Sequence, residues 1–184
     1  GKHLINNSKV SMISFTGSTK TGKEIYNSAS KTIKRVSLEL GGKNPMAVFS
    51  DADLNKTSNE VIHSFVHNAG QCCVSGSKLF IEGKIYKKFL LSKKLDKINT
   101  YQSTTTLHQY LKIKQIINKS IKNRTKILYR KDKLFNDSKR LIHPIIFQMK
   151  DKNNFLNYEE IFGPVLAAKI FTNFDELVKM MNDT

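Results

Sequence analysis

Apolar and polar side chains alternate near the start of this chain. Val10-Ser11-Met12-Ile13-Ser14-Phe15 has the two-residue period of a half-buried strand. Thr16-Gly17-Ser18-Thr19 turns the chain, and residues 20–32 then carry Ile25, Tyr26 and Ala29 at helical spacing. Val36, Leu38 and Leu40 alternate again and predict a second strand, ending at Gly41-Gly42. Pro45 to Phe49 reads as a third strand. Asp51 and Asp53 offer N-caps to a helix over roughly 54–69. Residues 77–81 predict a strand and 84–95 a short basic helix. Over 107–122, the residues Leu107, Leu111, Ile113, Ile116, Ile117 and Ile121 predict one apolar helical stripe. Ile127 to Tyr129 and Leu141 to Phe147 are short strand candidates, Val165 to Phe171 is a stronger one, and Asp175 to Met181 closes with an amphipathic helix. The polar run 99–106 reads as a loop.

Strands and helices alternate throughout, which predicts an α/β fold with a mainly parallel sheet flanked by helices. The 184 residues give room for one domain of ordinary size, and an apolar share of 39% suits a packed core. No apolar run approaches the length that spans a bilayer. Gly1-Lys2-His3-Leu4 opens no signal-peptide pattern, and the absence of a starting Met predicts a chain that begins partway through something longer. Two adjacent cysteines form no disulfide framework and complete no zinc site, so a reducing, cytoplasmic compartment is expected.

The net charge of +16 is unevenly placed. Residues 84–150 hold 18 Lys and Arg against 3 Asp and Glu, while the rest of the chain holds 13 against 12. The stretch is also rich in Ile and Asn. That combination fits base-composition drift on solvated helix faces better than a nucleic-acid surface, although a basic binding module remains the alternative function.

Three motifs carry chemistry. Gly17-Ser18-Thr19-Lys20-Thr21-Gly22-Lys23-Glu24 follows a strand and opens a helix, close to a P-loop pattern. Glu24 stands where a magnesium-binding Ser or Thr belongs, so a turn that offers N–H groups to a cofactor phosphate is the better reading. Cys72-Cys73 offers a thiolate, the strongest side-chain nucleophile near neutral pH, or else small apolar filler. Glu39 offers a general base, or else the outward residue of an edge strand. His63 and His67 share a helix face but complete no metal set, so no metal site is expected.

Taken together these segments resemble the aldehyde dehydrogenase superfamily. The carrying residues are Phe15-Thr16-Gly17-Ser18-Thr19, Leu38-Glu39-Leu40-Gly41-Gly42-Lys43-Asn44-Pro45, Asn68-Ala69-Gly70-Gln71-Cys72-Cys73 and Glu159-Glu160-Ile161-Phe162-Gly163-Pro164-Val165, in the family's order. The resemblance implies NAD(P)-dependent oxidation of an aldehyde to a carboxylic acid. It makes Cys73 the nucleophile that forms a thiohemiacetal and then a thioester, with its own backbone N–H in the oxyanion hole. It makes Glu39 the base that hydrolyses the thioester, which favours a free acid over acyl transfer to coenzyme A. Gly17 and Ser18 match the turn that contacts cofactor phosphates, Glu160 the residue that binds the nicotinamide ribose, and Phe162 the ring packed near the nicotinamide. NAD or NADP is the implied cofactor. A small-molecule aldehyde is the implied substrate and a homo-oligomer the implied full-length state, with neither membrane nor nucleic acid as partner.

By the same resemblance, residues 1–41 are the C-terminal part of the NAD(P)-binding domain and 42–184 a truncated catalytic domain. The Asn that completes the oxyanion hole is then expected before Gly1, and the oligomerisation segment after Thr184. The middle departs from the family pattern. His143-Pro144-Ile145-Ile146 stands where a Pro-Thr-Val strand start belongs.

Overall fold

The computed structural model describes residues 1–91, 102–150 and 154–183, arranged as two compact units, Gly1–Gly42 and Lys43–Thr184. The first unit runs α1 (Lys2–Asn6), β1 (Met12–Gly17), α2 (Thr19–Ser30), β2 (Arg35–Leu40). β1 and β2 pair in parallel, with Thr16 opposite Glu39 and Gly17 opposite Leu40, so α2 is the crossover between them. The alternation seen in the sequence is real here. Ile13 and Phe15, and Val36, Leu38 and Leu40, are the half-buried positions of the two strands. β1 starts two residues later than the pattern predicts, because the Val10 N–H is drawn into a turn onto the Asn7 carbonyl. Lys34 Nζ fastens that turn by donating to the carbonyls of Asn7 at 2.5 Å and Val10 at 2.6 Å.

The second unit runs β3 (Pro45–Val48), α3 (Leu54–Val66), β4 (Lys78–Glu82), α4 (Tyr86–Leu90), α5 (Leu107–Lys122), β5 (Ile127–Arg130), β6 (Phe135–Asn136), β7 (Leu141–Ile142), β8 (Ile145–Gln148), β9 (Val165–Phe171) and α6 (Phe174–Asn182). Its main sheet has the order β3-β4-β9-β8-β5. The first four strands are parallel and β5 is antiparallel to β8. β6 and β7 form a separate antiparallel hairpin. The fold is therefore α/β with a mainly parallel sheet. One core packs α5 against the sheet through Ile113, Ile117, Ile145, Phe147 and Val165. Another packs α3 and α4 through Phe65, Leu79, Ile81 and Phe89.

Several elements correct the sequence reading. α5 has the expected ends, but its buried stripe is Tyr110, Ile113, Ile116, Ile117 and Ser120, while Leu107 and Leu111 point to solvent. At 100° per residue, 110, 113, 116, 117 and 120 share one face, and 107 and 111 fall well off it. The helix expected over 54–69 stops at Val66, because Asn68 and Ala69 take left-handed backbone angles. The single strand expected over 141–147 is two strands in two sheets, parted at Pro144, which has no N–H for a continuous ladder. The helix expected over 84–95 ends at Leu90, and its remainder falls largely outside the described residues, as does 99–101 of the expected loop.

Candidate active site

The thiol pair sits on a loop whose shape is set before it begins. Asn68, Ala69 and Gly70 have φ of 52°, 55° and 68°. Asn tolerates that region and Gly is free in it, but Ala69 stores about 1–2 kcal/mol of strain. Side-chain amides hold the turn in place. Asn68 Nδ2 donates to the Gln71 carbonyl at 2.9 Å, and Gln71 Nε2 returns a bond to the Asn68 carbonyl at 3.1 Å. The Gln71 side chain is buried, and its Oε1 accepts from the Thr105 N–H at 2.8 Å and hydroxyl at 3.1 Å. A tight turn follows, with the Ser75 N–H donating to the Cys72 carbonyl at 3.1 Å. Both cysteines are free thiols, Cys72 half-buried and Cys73 exposed. The Cys73 N–H makes no hydrogen bond among the described residues.

Gly70 explains why the loop lies where it does. A Cβ built on it would fall 2.4 Å from the carbonyl carbon and oxygen of Gly163. The thiol loop therefore rests backbone against backbone on the Phe-Gly-Pro loop. That second loop is held from α5. Gln109 Nε2 donates to the carbonyls of Ile161 at 3.0 Å and Phe162 at 2.9 Å. Lys112 Nζ donates to the Glu160 carbonyl at 3.2 Å and pairs with Glu159 Oε1 at 3.3 Å. Phe162 has φ of 56° and an exposed ring, a strained state that these bonds to its own and its neighbour's carbonyl sustain.

The sheet places the pieces. Asn44 precedes β3, Cys73 precedes β4 and Gly163-Pro164 precedes β9, so all three lie at the amino ends of adjacent parallel strands in the second unit. In the first unit, Gly17, Ser18 and Glu39 lie together at the carboxyl ends of β1 and β2. Glu39 is exposed. Ser18 caps α2 by accepting the Thr21 N–H at 3.2 Å. Among the described residues the Thr19 and Lys20 N–H groups make no hydrogen bond, and they lie at the positive end of a twelve-residue helix. Beside this turn runs a cleft of about 590 Å³, lined by Leu4, Ile5, Phe15, Thr21, Glu24 and Ile25 among others.

A sequence model of the aldehyde dehydrogenase family matches residues 1–184. The chain belongs to that family. Betaine aldehyde dehydrogenase of Bacillus subtilis is 33% identical over the whole chain, which covers 40% of that protein. An NAD-dependent aldehyde dehydrogenase from Sinorhizobium meliloti superposes with a TM-score of 0.91 at 30% identity, over all of this chain and 38% of that one. A mutant of aldehyde dehydrogenase C from Pseudomonas syringae, solved with NAD+ and octanal, gives 0.89 at 25% identity, over 98% of this chain and 40% of that one. The chain thus spans about 40% of the length of the relatives it matches.

Within this aldehyde dehydrogenase segment, some residues around the loops escape a sequence reading. Gln71, Gln109 and Lys112 act through bonds to distant backbone. Lys43 is buried, its Nζ has no hydrogen-bond partner among the described residues, and its pKa is lowered to about 8. Burial is the main cause and the nearby Lys78 adds to it, while Glu159 and Glu160 oppose. His63 and His67 stack at 5.1 Å, and no group of three or more His, Cys, Asp or Glu able to hold a metal occurs among the described residues. No helix among them is long and apolar enough to cross a membrane.

Proposed function

We propose that this chain carries the thiol, base and cofactor contacts of an NAD(P)-dependent oxidation of an aldehyde to a carboxylic acid. The observation that carries the reading is the state of Cys73: an exposed free thiol, its own N–H unbonded among the described residues, on a loop fixed at both ends. The Cys73 thiolate adds to the aldehyde carbon, forming a C–S bond and an oxyanion. The Cys73 N–H donates to that developing charge. The dinucleotide, when bound, supplies the hydride acceptor. Loss of hydride from the thiohemiacetal carbon leaves an acyl group on Cys73 as a thioester. Glu39 then takes a proton from water, which attacks the acyl carbon and releases the acid and the thiol.

The residues present suit a dinucleotide. The Thr19 and Lys20 N–H groups beside Gly17 and Ser18 match a pyrophosphate. Glu160 offers a carboxylate to ribose hydroxyls, and Phe162 an exposed ring for stacking. Both NAD and NADP are compatible with these groups. The complexes of the Pseudomonas protein with NAD+ and octanal support the same assignment by analogy.

The test is a chimaera in which residues 1–184 replace the matching segment of the Bacillus betaine aldehyde dehydrogenase, assayed for aldehyde-dependent NAD(P)H formation. Cys73→Ser is expected to abolish turnover and Cys72→Ser to leave most of it. Equal losses would overturn the choice of nucleophile. Glu39→Gln is expected to keep a first burst of NAD(P)H and slow later turnovers. A second reading, polyanion binding, draws on a depression of about 400 Å³ lined by Tyr129, Arg130, Lys131, Asp132, Lys133 and His143. Binding to a nucleic-acid or heparin column that falls steeply with salt would favour it.

A further inference from the structure

We propose that Asn44 is the positioning residue of the Cys73 thiol, an inference that rests on the reading of Cys73 as the nucleophile. Asn44 lies at the foot of β3, in a different strand-loop unit from the cysteines. Its Nδ2 donates to the Cys73 carbonyl at 2.5 Å and to the Ser75 carbonyl at 3.0 Å. One side-chain amide therefore uses both of its protons on the loop that bears the thiol. The Asn44 backbone completes the junction. Its carbonyl accepts the Ser77 and Lys78 N–H groups, each at 3.0 Å, at the point where β4 begins.

The consequence is geometric. The Ser75 N–H holds the Cys72 carbonyl, and Asn44 holds the Cys73 carbonyl, so the peptide planes on both sides of Cys73 are fixed. The Cys73 N–H, the donor the proposed reaction requires, makes no hydrogen bond among the described residues. The clamp also keeps the two neighbouring thiols unlike. Cys73 is exposed while Cys72 is half-buried. A loop free to rotate about residues 73–75 would average the two environments. Asn supplies two N–H donors on a short, stiff stem. Ala supplies none, and Asp, of the same shape, sets a carboxylate against two carbonyl oxygens.

The test needs neither cofactor nor aldehyde, so it fails separately from the proposed activity. The chain is treated with iodoacetamide, and the rates at Cys73 and Cys72 are read by mass spectrometry of the peptides. The Cys73-to-Cys72 rate ratio is expected to be well above one in the native chain. It should fall toward one, at least about fivefold, in both Asn44→Ala and Asn44→Asp. Val61→Ala, which removes buried apolar volume from α3, serves as a control for general destabilisation and should leave the ratio unchanged. A ratio that is the same in both Asn44 variants as in the native chain overturns the proposal, as does a fall of equal size in the control. If neither Asn44 variant folds, the native Asn44 side-chain amide decides by NMR. Two protons protected from exchange are expected, and a freely exchanging pair overturns the proposal.

Discussion

The two units of this chain solve the same packing problem with very different means. In Gly1–Gly42 only Ile25 and Ala29 are fully buried apolar residues, beneath a two-stranded sheet. In Lys43–Thr184 a five-stranded sheet is covered by cores that include Phe65, Phe80, Phe89, Phe147 and Phe171, all nearly inaccessible. The candidate base and phosphate turn belong to the thin unit, and the candidate nucleophile belongs to the thick one. Burial of a large side chain contributes about 1.5–3 kcal/mol, so the second unit has the means to hold strained loops and the first has little. Among the described residues other than glycine, Asn68, Ala69, Arg124, Arg140 and Phe162 are the left-handed residues of the second unit, and exposed Ile33 is that of the first. The Gln71 and Gln109 amides hold the Asn68 and Phe162 carbonyls.

The largest expected effect that sharpens this contrast is Phe147→Ala, which empties the centre of the main sheet and should cost about 3–5 kcal/mol in urea unfolding. Ile25→Ala should instead loosen amides of the first unit in hydrogen exchange while leaving the protection of β4, β8 and β9 in place. An equal loss of protection in both units would break the comparison. Gly70→Ala comes next. Its Cβ meets backbone and its φ is positive, so about 2–4 kcal/mol is expected. Gly163→Ala should cost less, about 1–2 kcal/mol, because the nearest atom is the end of the Ile113 side chain at 2.6 Å.

Lys43→Met tests the electrostatic side. The folded chain holds the Lys43 proton less tightly than the unfolded chain, with a pKa of about 8 against 10.5. Native stability should therefore rise as pH climbs from about 8 to 10.5, where only the unfolded state keeps the proton. The variant should lack that rise and be more stable at pH 7, by on the order of 3 kcal/mol at most. Urea midpoints at pH 7 and 10 measure both, and parallel shifts of the two proteins would sink the assignment. The smallest effect belongs to Asp137→Asn. Asp137 accepts from Tyr110 at 2.6 Å and Lys114 at 2.5 Å, and these partners hold its carboxyl below the usual range. Its contribution is present at neutral pH and fades as acid titrates it. The variant should show a slight drop in midpoint at pH 7 that vanishes below the carboxylate range.

What the sequence discloses follows from the range of the forces involved. α5 from Leu107 to Lys122 and β9 from Val165 to Phe171 are read with their true ends, because periodicity and capping are local. The β6–β7 hairpin and the antiparallel turn of β5 are missed, since two- and four-residue strands leave almost no pattern. In the site, Cys73, Glu39, Glu160 and Phe162 stand out through motif and resemblance. Asn44 and Gln71 lie inside the carrying motifs without a role, and Gln109 lies outside them, because each works by a side-chain bond to backbone 29 to 53 residues away. Read from propensity alone, such an amide is one more solvated side chain.

The contact between Gly70 and Gly163 also constrains how this chain can change over time. Gly70 has no room for a side chain while the Gly163 backbone keeps its place, and one loop carries the thiol while the other carries Phe162. At this crossing a single step is blocked, so the two loops are inherited as one piece. Any remodelling of the cofactor side must leave the 163–164 backbone where it is or move the nucleophile with it.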